Sequence, residues 1–330
     1  MNSDSEQDEI RRVTLKGGGL TAIVLSAGAA IQDLRLDGHA PPLVLGFADP
    51  ESYRENRPYF GAVAGRYANR IRDGRFSIDG ETFQGPTNFM GKHSLHGGAN
   101  GLAKRNWRIA EEGPDFLTLS LNNPDGAEGF PGTLSVRCTY RLQAPGTLSV
   151  EFEATTDRPT LCNLAQHSYF NLEDGGADDI LGHRLTIAAG AYTPVDGELI
   201  PTGVVQPVEN TEFDFRAPKV IGGMHGGEFD HNFCLASSRR ALSFAARLEA
   251  PRSGFSLELW TTEPGVQFYS GGHLPVPGEG LEGRSYAKHA GLCLEPQVWP
   301  DSPNRPYFPQ AILRPGETYR QLTEFRFARS

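Results

Sequence analysis

The sequence predicts an all-β fold, a large antiparallel β-sandwich with very little helix. Apolar and polar residues alternate with a period of two through most of the chain, which is typical of strands with one buried face. The 39 glycines and 24 prolines fall between these runs, where they indicate turns. No long stretch holds a helical period. We therefore expect residues 10–330 to form a single β-sandwich domain and residues 1–9 to form a disordered acidic tail.

Turn signals divide the chain into hairpins and single strands. Three glycines join the predicted strands Arg12–Lys16 and Leu20–Leu25, and a strand at Ala30–Leu36 follows. Asp49-Pro50 before Glu51–Arg54 predicts a capped helix of one turn. The remaining predicted strands are Arg75–Ile78, Glu81–Phe83, Trp107–Ala110, Phe116–Leu121, Thr133–Leu142, Leu148–Thr155, Arg184–Ile187, His231–Leu235, Leu242–Leu248, Phe255–Trp260, Val266–Tyr269, Gly291–Glu295 and Tyr319–Phe327.

Composition narrows the class of protein. The net charge of −9 makes nucleic acid a poor candidate partner. The four cysteines stand singly, as expected of buried thiols in a reducing compartment. The N-terminus lacks the order of a signal peptide, and no apolar run is long enough for a membrane span. We expect a cytoplasmic protein with no membrane partner.

Two stretches carry candidate acid/base groups. The segment 161–172, LCNLAQHSYFNL, begins as an alternating strand and then presents His167. Far downstream, a short apolar strand in GLCLEPQVWPDSPN ends on Glu295, immediately before Pro296. A histidine and a glutamate, each on a rigid strand, form a plausible acid/base pair.

Four further stretches are rich in groups that could bind a ligand. They are GRYANRI with Asn69 and Arg70, LHGG with His96, FDHNF with Asp230, and EPGVQFYSGG with Gln267. The two glycines after His96 could let the backbone approach a ligand closely. Most such residues in other proteins are scaffold: a strand histidine is usually structural, and Asp230 would suit a turn or cap.

A metal site is the alternative for the histidines. His96, His167 and His231 could be combined into a three-histidine centre, but none has the local spacing of metal ligands. We expect no metal. The chain also lacks the nucleophile elbow, the P-loop and the dinucleotide-binding glycine pattern.

Taken together, the motifs resemble the aldose 1-epimerase (galactose mutarotase) family. The matching pieces, in the family's order, are GRYANRI, LHGG, QHSYFNL, YTPVDGELIPTG, FDHNF, EPGVQFYSG, LEPQVWPDSPN and LRPGETY. The resemblance implies a galactose mutarotase-like supersandwich that interconverts the α and β anomers of free aldoses without a cofactor. It places the catalytic base on Glu295 and the catalytic acid on His167. It assigns sugar binding to Asn69, Arg70, His96, Asp230 and Gln267.

Two positions depart from the family pattern. Gln166 stands where the family usually has Asn before the catalytic histidine, and Gly272 stands where it commonly has Asn. Neither is the acid or the base. We expect the missing side chain at Gly272 to reshape sugar contacts and to leave discrimination among aldoses modest.

The chemistry implied by the resemblance needs two proton transfers. The anomeric hydroxyl loses a proton while the ring oxygen gains one, and a carboxylate with an imidazole suffices for both. Reference pKa values near 4.3 and 6.5 predict an ionised Glu295 and a partly protonated His167 close to neutrality. The expected partner is a monosaccharide, and the protein is expected to be a monomer or a homodimer.

Three other functions remain open from the sequence. A glycoside hydrolase would usually need two paired carboxylates, whereas the partner of Glu295 here is a histidine. A non-catalytic sugar-binding domain would be expected to lack one of the two acid/base groups. A relative that acts on sugar phosphates would need a basic cluster, against the acidic balance of the chain.

Overall fold

A computed structural model describes residues 9–329 of the chain. The predicted tail, residues 1–9, lies outside the described residues except for Glu9. The first nine strands are β1 (Arg12–Gly17), β2 (Leu20–Leu25), β3 (Ile31–Leu36), β4 (Val63–Ala64), β5 (Arg70–Ile71), β6 (Arg75–Ile78), β7 (Glu81–Gln84), β8 (Ser94–Leu95) and β9 (Arg108–Glu112). The next nine are β10 (Phe116–Asn123), β11 (Leu134–Gln143), β12 (Thr147–Thr156), β13 (Thr160–Leu161), β14 (Ala165–Gln166), β15 (Tyr169–Phe170), β16 (Arg184–Ile187), β17 (Ala191–Thr193) and β18 (Gln206–Pro207). The last are β19 (Lys219–Val220), β20 (Asp230–Cys234), β21 (Ser243–Ala250), β22 (Phe255–Thr261), β23 (Gly265–Tyr269), β24 (Leu292–Gln297), β25 (Ile312–Leu313) and β26 (Tyr319–Arg329).

Between residues 9 and 329, helix is limited to short 3-10 segments. The turns are Pro50–Arg54, Arg72–Gly74, Leu102–Lys104, Ala127–Gly129, Ile221–Gly223, His225–Gly227, Leu281–Gly283 and Ser302–Asn304. The helix predicted after Asp49-Pro50 is confirmed as the first of them, and Asp49 caps it by accepting a hydrogen bond from the Glu51 amide. Among the described residues, no helix has the length and apolar character needed to cross a membrane.

Two large antiparallel sheets form the sandwich, which confirms the predicted fold class. One has nine strands in the order β19-β16-β21-β22-β26-β12-β11-β10-β9, and the other has six in the order β15-β24-β23-β20-β17-β18. Strand β11 shows the expected alternation: Val136, Cys138 and Tyr140 are buried, while Arg137 is exposed. The buried rows of both sheets share one hydrophobic core.

The six-stranded sheet differs from the sequence prediction because both of its faces are covered. All six residues of β24 are buried, and Leu292 and Leu294 belong to the core between the sheets. The alternate residues Cys293 and Glu295 point to the opposite face. Strand β24 is therefore buried on both faces: one face packs in the core between the sheets, and we call the opposite face the functional face.

Strand β24 also runs further than predicted, because Pro296 does not end it. The strand continues to Gln297 in register with β23. Its other neighbour, β15, pairs only with Leu292 and Cys293. Pro296 thus lies beyond the paired part of that edge, where the missing N–H of proline interrupts no ladder bond.

The segment 161–172 is likewise not one strand. It consists of three two-residue strands, β13, β14 and β15, each pairing with a different partner. Every residue from Leu161 to Leu172 is buried. His167 lies between β14 and β15, so it does follow the end of a strand, as predicted.

Arg66, from the GRYANRI motif, is part of the scaffold rather than of a binding site. It is about 1% exposed, and its guanidinium donates to the carbonyls of Pro131 and Gly132 and to Asn123 and Thr160. Burial lowers its pKa to about 10, so the group stays charged at neutral pH. Arg66 therefore ties the segment that carries Asn69 and Arg70 to the nine-stranded sheet.

We predict that Arg66→Met lowers the free energy of unfolding by about 3 kcal/mol or more, because several buried carbonyls lose their donor at once. Urea unfolding followed by tryptophan fluorescence measures the change. Arg108→Met is the matched control, since Arg108 lies exposed on β9 and should change stability by no more than about 0.5 kcal/mol. Equal stabilities of the two variants would contradict the scaffold role.

Candidate active site

The functional face of the six-stranded sheet forms the floor of a pocket. In the antiparallel register Asn232 lies opposite Gln267, and Gln267 lies opposite Glu295. The next row pairs Asp230 with Tyr269 and Tyr269 with Cys293. Residues directly opposite each other share a face, so Asp230, Gln267 and Glu295 come together although they are far apart in the chain.

The pocket has a volume of about 240 Å³ and is walled by loops from outside the sheet. Aromatic and aliphatic side chains form much of the wall. The lining residues are Arg57, Pro58, Tyr59, Asn69, Arg70, Phe89, Leu95, His96, His167, Tyr169, Asp230, Tyr269, His273, Leu274, Val276 and Glu295. Six of the seven predicted site residues are among them, and the seventh, Gln267, donates from Nε2 to Oδ1 of Asp230 at 2.6 Å.

The two predicted acid/base groups face each other. Nε2 of His167 lies 3.6 Å from Oε2 of Glu295, and both side chains are at least nine-tenths buried. The backbone on either side of His167 is fixed, because its amide donates to Ala62 and its carbonyl accepts from Gly61. Oε2 of Glu295 has no hydrogen-bond partner among the described residues. A buried, unpaired carboxyl oxygen is available to a ligand hydroxyl.

Burial shifts the pKa of both groups toward the uncharged form. Desolvation, reinforced by the charge of Asp230 and opposed by that of Arg70, raises the pKa of Glu295 to about 8. Desolvation lowers the pKa of His167 to about 4. Both shifts favour the uncharged forms in the free site, whereas the reference pKa values predicted an ionised base and a partly protonated acid.

Asp230 is the ionised carboxylate of the pocket. Its Oδ2 accepts a hydrogen bond from Nη2 of Arg70 at 2.9 Å, and its Oδ1 accepts one from Gln267. Burial alone would raise the pKa of Asp230, but the charge and hydrogen bond of Arg70, with the Gln267 amide, lower it instead. Asp230 is thus neither a turn residue nor a cap.

His96 and Asn69 reach the pocket from the ends of a small ladder. Strands β5 and β8 pair Arg70 with Leu95, and Asn69 and His96 adopt positive φ beside them, at 65° and 50°. The amide of Asn69 donates to Nδ1 of His96 at 3.2 Å. A neutral His96 must then carry its proton on Nε2, which faces outward as a donor. Burial, His167 and Arg70 lower the pKa of His96 and keep it neutral.

The glycines after His96 serve packing rather than ligand approach. Gly97 has a φ of 78°, and a Cβ there would lie 2.1 Å from the carbonyl oxygen of Gly65. The LHGG motif is therefore glycine-rich because two backbone segments touch beneath the pocket.

The three-histidine arrangement does not form. His231 follows Asp230 on β20, so it points to the opposite face. There its ring packs on Phe213, with 4.6 Å between the two ring centroids. The potential ligand atoms that do gather, within 4.8 Å of one another, belong to His96, His167 and Glu295. Of these, His96 presents a hydrogen at Nε2 rather than a lone pair, so this trio is a poor metal site.

Neither departure from the family pattern lies in the pocket. Gln166 donates to the carbonyl of Gly61 and to Ser168, and so braces the turn that carries His167. A Cβ on Gly272 would lie 2.7 Å from a carboxylate oxygen of Glu228, and Gly272 itself is not a lining residue, although His273 next to it is. Gly272 therefore makes no direct contact with the pocket that would explain the expected effect on sugar contacts.

Sequence reasoning missed Tyr59, Phe89, Tyr169, Tyr269, His273 and Cys293. Tyr169 and Tyr269 each follow a predicted site residue by two positions, and Cys293 precedes Glu295 by two. On a strand that spacing places side chains on one face, so the alternation of β23 and β24 could have found Tyr269 and Cys293. Tyr59, by contrast, lies in a loop at a φ of 62°, and nothing in its local sequence singles it out.

Comparison with known proteins identifies the family of the chain. The family model described as aldose 1-epimerase matches residues 11–326. Galactose mutarotase of Mus musculus is 46% identical over 97% of this chain and 94% of its own length. Aldose 1-epimerase of Escherichia coli (strain K12) is 38% identical over 96% and 95%. The GalM/aldose epimerase homologue from C. elegans superposes with a TM-score of 0.91 at 30% identity, covering 97% of this chain and 99% of that one. By sequence and by fold, the chain belongs to the aldose 1-epimerase family.

Proposed function

We propose that this protein interconverts the α and β anomers of a free aldose, with Glu295 and His167 as the two proton-transfer groups. The observation that carries the proposal is the buried carboxyl–imidazole pair, 3.6 Å apart in a sugar-sized pocket. Mutarotation requires one group that takes a proton from the anomeric hydroxyl and one that gives a proton to the ring oxygen, and both oxygens are bonded to the same sugar carbon. A buried pair of this kind supplies both.

The pair works because it holds one proton. With pKa values of about 8 for Glu295 and about 4 for His167, it carries a single exchangeable proton at neutral pH. When that proton lies on Nε2 of His167, the Glu295 carboxylate can take the anomeric proton while His167 protonates the ring oxygen. The bond between the anomeric carbon and the ring oxygen then breaks, leaving an aldehyde, a protonated Glu295 and a neutral His167.

Closure retraces the same path after the aldehyde carbon rotates. His167 takes the proton of the hydroxyl that attacks, and Glu295 returns its proton to the carbonyl oxygen. No proton, electron or group is gained or lost over the cycle. The environment favours the protonation state of the open-chain stage, because burial disfavours the ionised pair.

The remaining residues suit the recognition of sugar hydroxyls. Asp230 offers ionised acceptor oxygens, and His96 offers an Nε2–H donor. Nε of Arg70 and Oε1 of Gln267 are buried without a partner among the described residues. Asn69 orients this group, since its side chain accepts from the Arg70 amide and its own amide fixes the tautomer of His96.

Asp230 is also the second carboxylate that a glycoside hydrolase would need. Its ion pair with Arg70 and its bond to Gln267 hold it ionised, which favours a binding role over acid catalysis. The name of the mouse relative makes galactose the first sugar to test. Residues 10–330 as one catalytic domain, a cytoplasmic location, and a monomer or homodimer remain predictions from the sequence.

We predict that the protein accelerates the polarimetric change of freshly dissolved α-galactose, and that Glu295→Gln and His167→Asn each lower kcat at least about a hundredfold. The double variant should be little worse than the poorer single one, because the two groups act as a unit. Glucose, xylose and arabinose extend the test.

Glu112→Gln provides the matched control, since Glu112 is exposed on β9 and should leave kcat unchanged. Circular dichroism shows whether each variant is folded. Near-normal turnover of Glu295→Gln would move the role of base to Asp230 and overturn the assignment.

A second prediction concerns pH. After subtraction of the spontaneous rate, kcat/KM should follow a bell with limbs near pH 4 and pH 8. Below the lower limb His167 is also protonated and the pair has no acceptor; above the upper limb Glu295 is ionised and the pair has no donor. A single limb near the ordinary histidine pKa would contradict the one-proton pair.

Chelation tests the absence of a metal role. Because both steps are proton transfers and His96 presents a donor, dialysis against EDTA should leave the mutarotation rate unchanged. An EDTA-treated sample that regains lost activity only when Zn²⁺ or Mg²⁺ is added would establish a metal centre instead.

A further inference from the structure

Cys293 lies behind the catalytic imidazole and is fully buried. It precedes Glu295 by two residues on β24, so its side chain shares the functional face with that carboxyl. Its Sγ lies 3.6 Å from Nδ1 of His167, within the range of a hydrogen bond to sulfur. The imidazole is therefore held between two residues of one strand, with Glu295 at Nε2 and Cys293 at Nδ1.

The far side of the ring needs an acceptor throughout the cycle. All proton exchange in the proposed reaction takes place at Nε2, so Nδ1 keeps its hydrogen whether the ring is neutral or charged. In the part of the chain that the structure describes, the Cys293 sulfur is the one side-chain atom within hydrogen-bonding distance of Nδ1, and it supplements a hydrogen bond from the ring to the backbone carbonyl of His167 itself. A buried N–H without any acceptor would be costly.

We propose that Cys293 is a positioning residue, whose thiol sulfur accepts the Nδ1–H of His167, directs Nε2 toward Glu295 and keeps the imidazolium a strong acid. Sulfur is a weak acceptor, so it orients the ring while stabilising the positive charge far less than a carboxylate in that position would. This inference rests on the proposed mutarotation.

The thiol itself stays neutral. Burial, together with the negative charges of Glu295 and Asp230, raises the pKa of Cys293 far above its usual range. A neutral thiol adds no charge behind the ring. Cys293 is thus neither a nucleophile nor a counter-ion in this arrangement.

Other groups around His167 stay in place when Cys293 is changed. The titratable or charged groups that contact the ring or act on its charge are Tyr59, His96, Lys104, Tyr169, Asp230 and Glu295. They belong to loops and strands on several sides of the ring. A shift in the titration of His167 in a Cys293 variant can therefore be assigned to the changed contact at Nδ1.

The test compares Cys293→Ser and Cys293→Ala with the unchanged protein. Serine is a stronger acceptor, so the low-pH limb of kcat/KM should rise by roughly 0.5 to 1 pH unit. Alanine removes the sulfur and leaves the ring only the backbone carbonyl of His167, so the limb should fall by a similar amount and kcat should drop about tenfold with KM little changed. Cys162→Ser is the matched control, because Cys162 is as buried as Cys293 but makes no hydrogen bond with His167 among the described residues.

A second readout does not depend on activity. In the free protein labelled with ¹⁵N-histidine, the His167 resonance should show a proton on Nδ1, and its shift should move in both Cys293 variants but not in Cys162→Ser. An Nδ1 without a proton, or limbs and resonances that stay unchanged in both variants, would overturn the proposal. If the unchanged protein failed to accelerate mutarotation, the proposed function would fall, while the resonance would still decide the hydrogen bond.

Discussion

The register of three antiparallel strands determines where the chemistry can occur. Strands β20, β23 and β24 place Asn232, Gln267 and Glu295 in one row and Asp230, Tyr269 and Cys293 in the next. The alternate residues of β23 and β24, such as Phe268 and Leu294, fill the core between the sheets. A slip of one residue would turn Glu295 into the core and Leu294 into the pocket, so the hydrophobic core itself fixes the position of the carboxyl.

The Arg70–Asp230 pair links sugar recognition to proton transfer. Asp230 raises the pKa of Glu295 by its charge, while Arg70 opposes that effect. The same two groups present an acceptor and a donor to the pocket. A sugar hydroxyl that engages Asp230 would therefore change the field felt by Glu295, so binding and the balance between the two protonation states are coupled through electrostatics.

Much of the fold and part of the site could be predicted from the sequence. Long alternating strands such as β11 and β12 were predictable because each has one buried face and one exposed face. The two-residue strands around His167 were not, since burial on all sides removes the polar alternation. The two strand-borne groups suggested Glu295 and His167 as a pair, and the resemblance to the family assigned the roles of base and acid. Their protonation states could not be predicted, because they depend on desolvation and on Asp230, which the chain brings near only when folded.

The two departures from the family pattern change residues near the site without changing the proton-transfer pair. Gln166 braces the turn of His167 through the carbonyl of Gly61, a task that an amide side chain performs without entering the pocket. Gly272 leaves room for Glu228, which pairs with Lys288 and lies 3.4 Å from Nε2 of His289. Neither Gln166 nor Gly272 is itself a lining residue of the pocket. The proton-transfer pair depends instead on burial and on the β24 register, so neither departure disturbs the groups on which anomer exchange would rest.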